Sequence, residues 1–158
     1  MALLDWWDIV LRLGVATVAS GAIGLNRDLH GKPIGVRTLG IVGLATSLVV
    51  LTSNPAALEA GLMSDATSRV IQGILTGIGF LGAGVIIHSE QGKIRGLTSA
   101  ACVWLTACIG VMCGLGHWRL VIVAVGLTLG LLVFGGALER AMHRLIGGKR
   151  LDDDPPHD

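Results

Sequence analysis

Charge is scarce in this chain: Asp, Glu, Lys and Arg make up 15% of its 158 residues, against about a quarter in ordinary soluble domains. With 52% hydrophobic residues and a mean hydropathy of +0.72, the chain cannot cover itself with polar groups, so a small soluble domain is excluded and part of its solvent must be lipid. The formal net charge is only +1, so no global field draws nucleic acid or an acidic partner. Catalytic signatures are missing as well. There is no Gly-x-Ser-x-Gly, no His-Glu-x-x-His, no phosphate-binding Gly-rich loop and no paired-carboxylate helix motif, so neither an enzyme nor a cofactor is expected. Cys102, Cys108 and Cys113 match no metal or redox spacing and read as small core residues. His30, His88, His117 and His143 are scattered, so no metal site is expected either. The N-terminus lacks the Lys or Arg of a secretory signal and carries Asp5 and Asp8 instead, which favours a retained anchor. Ala19-Ser20-Gly21 is nevertheless small enough for a cleavage site.

What the sequence does have is five apolar runs, at about 9–25, 36–51, 70–87, 97–113 and 118–138. Their lengths suit membrane-spanning helices, and none alternates as a barrel strand would. The expected fold is an all-α integral membrane protein, a bundle of about five transmembrane helices with a Gly-rich third helix. Residues 1–146 form the transmembrane domain, and 147–158, with Gly, charges and Pro155-Pro156, read as a disordered cytoplasmic tail. Nine of the twelve basic residues fall on one side of the bundle, which places the N-terminus in the periplasm and the C-terminus in the cytoplasm. Trp6, Trp7 and Trp118 then mark the outer interface. Gly31 reads as the stop of the first helix, and Pro33 as the start of the second.

The third run holds Gly73, Gly77, Gly79, Gly82 and Gly84, each costing about 1 kcal/mol in a helix relative to Ala. Close helix packing through Gly73-x-x-x-Gly77 would compensate; so would a broken helix whose freed carbonyls bind an ion. Gly126-x-x-x-Gly130 offers a second small-residue face, and together the two faces point to a homodimer. Just outside the third run, Asp65 and Arg69 are four residues apart, suited to pairing on one helical face. They form either an interfacial ion pair or, with Gln72, a polar outer site. Arg12, inside the first run, would join that site or be neutralised by Asp8, four residues earlier.

At the other end, Arg27, Lys32, Arg37, Lys93 and Arg95 form cytoplasmic basic loops. Two of these segments lead into helix N-termini, where unpaired N–H groups and the helix dipole favour an anion; ordinary positive-inside anchoring is the alternative. Gly96 and Thr98 open the fourth helix.

The ordered set GAIGLNRDLHGKPIGVRTL (Gly21 onward), DATSR (Asp65 onward), GIGFLGAGVI (Gly77 onward) and RGLTSAACVWLTACIG (Arg95 onward) closely resembles the transmembrane domain of the MgtC/SapB family over about 95 residues. The motif positions that match are Arg27, Lys32, Pro33, Gly35, Arg37, Thr38, Asp65, Arg69, Gly77, Gly79, Phe80, Gly82, Gly84, Gly96, Leu97, Thr98 and Trp104. The resemblance implies a bacterial inner-membrane protein linked to growth at low magnesium and, in pathogens, to survival inside host cells. It implies a regulator, with the proton-translocating ATP synthase as a membrane partner, rather than a magnesium transporter; transport of magnesium or another small ion is the alternative. Asn26 departs from the family's usual Glu, so an acidic neighbour of Arg27 is missing. Many members continue into a soluble cytoplasmic domain, and regulation through one is not expected of this sequence.

Overall fold

A computed structural model describes residues 5–53, 64–88 and 94–146. The expected tail and Lys93 lie outside the described residues. Five helices account for nearly all of the remainder: α1 (Trp6–Leu29), α2 (Val36–Ser53), α3 (Asp65–Val85), α4 (Leu97–Leu115) and α5 (Trp118–Ile146). All five are long and apolar enough to cross a membrane. The chain is thus an all-helical multi-pass bundle, as its composition requires. One element was not expected, a two-residue antiparallel ladder in which β1 (Ile87–His88) pairs with β2 (Ile94–Arg95) just before α4.

The helices are not equivalent. α1, α2 and α4 pack against one another and supply most of the core, including Ala16, Ile23, Leu39, Val50, Val103, Ile109 and Cys113. In the spanning stretches of α2 and α4, 44% and 56% of residues are buried, against 11% in α3 and in α5. In lipid the hydrophobic effect does not distinguish a neighbouring helix from an acyl chain, so close approach depends on small residues. The contact between α2 and α4 follows that rule. A Cβ on Gly110 would sit 2.5 Å from the Gly43 carbonyl oxygen, and one on Gly114 would sit 2.9 Å from the Ser47 carbonyl oxygen. Gly24 of α1 lies equally close to the Gly35–Val36 backbone.

α1 and α4 end in the same way. Gly31 (φ +58°) and Gly116 (φ +77°) adopt the left-handed conformation, and their N–H groups, with those of Lys32 and His117, return to the last-turn carbonyls of Arg27, Asp28, Met112 and Cys113. The stop expected at Gly31 is therefore present. The start expected at Pro33 is not: α2 begins at Val36, because Ile34 takes φ +70°, which breaks any helix between Pro33 and Gly35. Asp28 then caps α2, its Oδ2 accepting from the Val36 N–H at 2.8 Å.

The glycines of the α2–α4 contact generate a direct test. Gly110→Ala must push α4 off the α2 backbone, at about 1–3 kcal/mol, and should lower the melting temperature in detergent by several degrees. Gly14→Ala, on an exposed part of α1 with nothing within 4 Å, should be neutral or stabilising by up to about 1 kcal/mol.

Candidate functional site

α1 buries a stripe of residues spaced by four and three, Ala16, Ser20, Ile23 and Arg27, and the same stripe extended backwards meets Arg12. The two arginines stand at opposite ends of that stripe, and each reaches α4. Arg12 Nη1 donates to the Gly114 carbonyl at 2.7 Å, at the C-terminal end of α4. Arg27 Nη2 donates to Ser99 Oγ in its first turn. Arg12 is also matched by Asp8, whose Oδ2 lies 2.8 Å from Nε; the N–H is off-axis, so this is an ion pair and not an aligned hydrogen bond. Of the two fates open to Arg12 in the sequence, the structure adopts neutralisation by Asp8.

Among the described residues Arg27 has no such counter-charge. It is 6% exposed, its Nε makes no hydrogen bond, and the only ion pair among the described residues is Asp8–Arg12. Together with Lys32, Arg95, Gly96, Thr98 and Ser99 it lines a cavity of about 1000 Å³ at the end of the bundle. Of the basic residues singled out in the sequence, the structure brings Arg27, Lys32 and Arg95 together, and leaves Arg37 exposed outside the cavity. Gly96 and Thr98 join the same wall. Gly96 has φ +93° and its Cβ position is occupied by the Val85 carbonyl oxygen, so no side chain can stand there to cap α4. Ser99 was not anticipated; the signal for it was the buried stripe of α1, which carries Arg27 inward to a small hydroxyl.

At the opposite end the side chains of the expected polar outer site make no polar contact with one another among the described residues. Asp65 and Arg69 are both exposed on α3, with no ion pair between them, and Gln72 is exposed beside them. What organises this end is Ser64, whose Oγ caps α3 by accepting from the Thr67 N–H at 3.2 Å. Thr67 is fully buried and its Oγ1 lies 3.0 Å from Ser53 Oγ of α2.

α3 is continuous from Asp65 to Val85, which removes the broken-helix alternative. Its glycines divide. A Cβ on Gly82 would sit 3.9 Å from the Ala100 Cβ of α4, whereas one on Gly73, Gly77, Gly79 or Gly84 would meet nothing within 4 Å among the described residues. Successive steps of four, three and four put Gly73, Gly77, Phe80 and Gly84 on one face, and Phe80 in its middle is 83% exposed. Among the described residues the close packing expected of Gly73 and Gly77 is not made; Gly24, Gly43, Gly110 and Gly114 make such contacts instead.

The family model described as the MgtC family matches residues 13–141. The chain belongs to that family. It is 36% identical over 133 residues to Protein SrpB of Synechococcus elongatus, covering 79% of this chain and 73% of that one. The Escherichia coli K12 protein named "Putative magnesium transporter YhiD" is 36% identical over 125 residues, 77% of this chain and 58% of its own length. Protein MgtC of Salmonella typhimurium LT2 is 36% identical over 110 residues, 70% of this chain and 45% of its own length. The chain thus spans only about half of some of the curated relatives that it matches. No solved structure matches it. Membership of the MgtC family makes this a non-enzymatic, multi-pass inner-membrane protein.

The two ends of α1 and the open end of α3 should respond differently to loss of charge. Arg12→Gln removes a charge-assisted bond between α1 and α4 and should cost about 1.5–3 kcal/mol. Arg69→Gln, on the exposed α3 surface, should change stability by less than about 0.5 kcal/mol. Thermal unfolding of both variants in one detergent compares them.

Proposed function

We propose that this chain is a regulator that works by binding another membrane protein, during adaptation to low magnesium or survival inside a host cell, and that α3 presents the binding surface. The observation that carries this reading is the outward row Gly73, Gly77, Phe80 and Gly84. Lipid gains nothing from glycine, and each one weakens the helix; a second backbone approaching to van der Waals distance recovers that cost. The ATP synthase is the partner that the family resemblance implies. Gly126 and Gly130 on α5, also with nothing within 4 Å, supply a separate surface for a homodimer. The N-terminus is periplasmic in this reading and the C-terminus cytoplasmic, so that Lys32, Arg37 and Arg95 face the cytoplasm.

Ion transport is the competing reading, favoured by the name of the Escherichia coli relative. It would need oxygen ligands for a cation, several of them and usually carboxylates. Among the described residues no group of three or more His, Cys, Asp or Glu side chains is close enough to hold a metal.

Gly77→Leu decides between the two. The variant should insert and melt like the parent, yet lose at least about tenfold in its inhibition of ATP-driven proton pumping by inverted membrane vesicles, since a Leu side chain holds the partner helix away. Saturable magnesium flux into liposomes holding the purified protein, abolished by Asp65→Asn with folding intact, would overturn the proposal.

A further inference from the structure

We propose that the cavity between the end of α1 and the start of α4 is a binding site for a phosphate oxyanion, held by Arg27, the first-turn amides of α4, Lys32 and Arg95. The inference is independent of which protein binds α3. Three observations converge on it. First, Arg27 is buried with its Nε unpaired and lines the cavity. A buried guanidinium strongly prefers a bidentate oxyanion to a single neutral hydroxyl, and among the described residues Ser99 Oγ is its one hydrogen-bond partner. Second, Arg27 stands at the N-terminus of α4, where the dipole is already positive and the first amides lack intrahelical acceptors. The two positive sources repel one another unless an anion lies between them.

Third, the chain fills its other basic helix N-terminus with its own carboxylate and, among the described residues, leaves this one open. Asp28 accepts from Val36 N–H at the start of α2. At α4 the cap position is Gly96, with no side-chain cap hydrogen bond and no room for a side chain beside Val85. Among the described residues no carboxylate lines the cavity, while Lys32 and Arg95 add two further cations at its exposed rim. A tetrahedral dianion or phosphodiester has the acceptors that these donors need. It could be a lipid headgroup, since the cavity lies at one end of the bundle, or free phosphate.

The test measures the melting temperature of the full chain in two kinds of nanodisc. In discs of digalactosyldiacylglycerol, a neutral lipid with no phosphate, inorganic phosphate is titrated against chloride at constant ionic strength. In phosphate-free buffer, phosphatidylglycerol replaces the galactolipid stepwise. A saturable rise in the first arm identifies free phosphate as the ligand, and a rise confined to the second identifies the lipid headgroup; either supports the site. The concentration at half-effect should increase at least tenfold in Lys32→Gln/Arg95→Gln, whose side chains are exposed and whose loss leaves the core untouched. Arg37→Gln removes a charge at the same end but outside the cavity and should change it less than twofold. Arg27→Gln should abolish the rise; if that variant does not fold, the rim pair and the Arg37 control still decide. No rise in either arm, or equal weakening by Arg37→Gln and the rim pair, would overturn the proposal.

Discussion

α1 grips α4 at both ends through two arginines, and the rest of the bundle is arranged around that grip. Arg12 and Arg27 are fifteen residues apart on α1, and their partners Gly114 and Ser99 are fifteen apart on antiparallel α4, so equal helical rises bring both pairs together at once. The grip holds both ends of α4 against α1, and α2 fills the remaining side through glycine contacts too close for any side chain. Electrostatically the two ends are opposites. A cation at the C-terminal carbonyls of α4 is favoured by the dipole, and a cation at its N-terminus is opposed by it. The first end is also neutralised by Asp8. The second is left with surplus positive charge inside protein, which is why it carries the inferred anion site.

Glycine serves two purposes in this chain, and lipid as solvent explains both. Gly43, Gly110 and Gly114 face inward and allow α2 and α4 to touch along their backbones. Gly73, Gly77 and Gly84 face outward from a helix that is barely buried. An inward glycine already has its compensating contact, whereas an outward one acquires it only when another helix arrives. The same physics that assembles the three-helix core therefore leaves α3 with the outward glycine face on which the proposed partner binding rests. Among the described residues the core holds both arginine tethers, so changes on α3 can affect association without loosening the fold.

Much of the architecture was legible in the sequence because the bilayer imposes it. Five runs of spanning length gave five helices, and Gly31 gave the end of α1. The start of α2 was misjudged at Pro33: Pro is favoured at a helix start, yet the positive φ of Ile34 delays the helix to Val36. The site was only half legible. Local spacing proposed an Asp65–Arg69 pair and an Asp8–Arg12 pair on the same i, i+4 rule, and only the second formed, because tertiary contact with Gly114 anchors Arg12 and nothing among the described residues anchors Arg69. Glycine spacing revealed a small-residue face but not what lies opposite it. The burial of Arg27 depends on where α4 begins, a contact between residues 72 apart in the chain that no local pattern contains.

The central claim is that the charge buried at the start of α4 is balanced by a phosphate group. Solid-state NMR of the full chain, labelled with ¹⁵N in its arginine side chains and reconstituted in phosphatidylglycerol-containing bilayers with inorganic phosphate, measures the proximity of each guanidinium to ³¹P. The account predicts strong ³¹P dephasing of the Arg27 signal, assigned by its loss in Arg27→Gln, and none for Arg12, which is already held by Asp8 and Gly114. An Arg27 signal that no ³¹P dephases would contradict it.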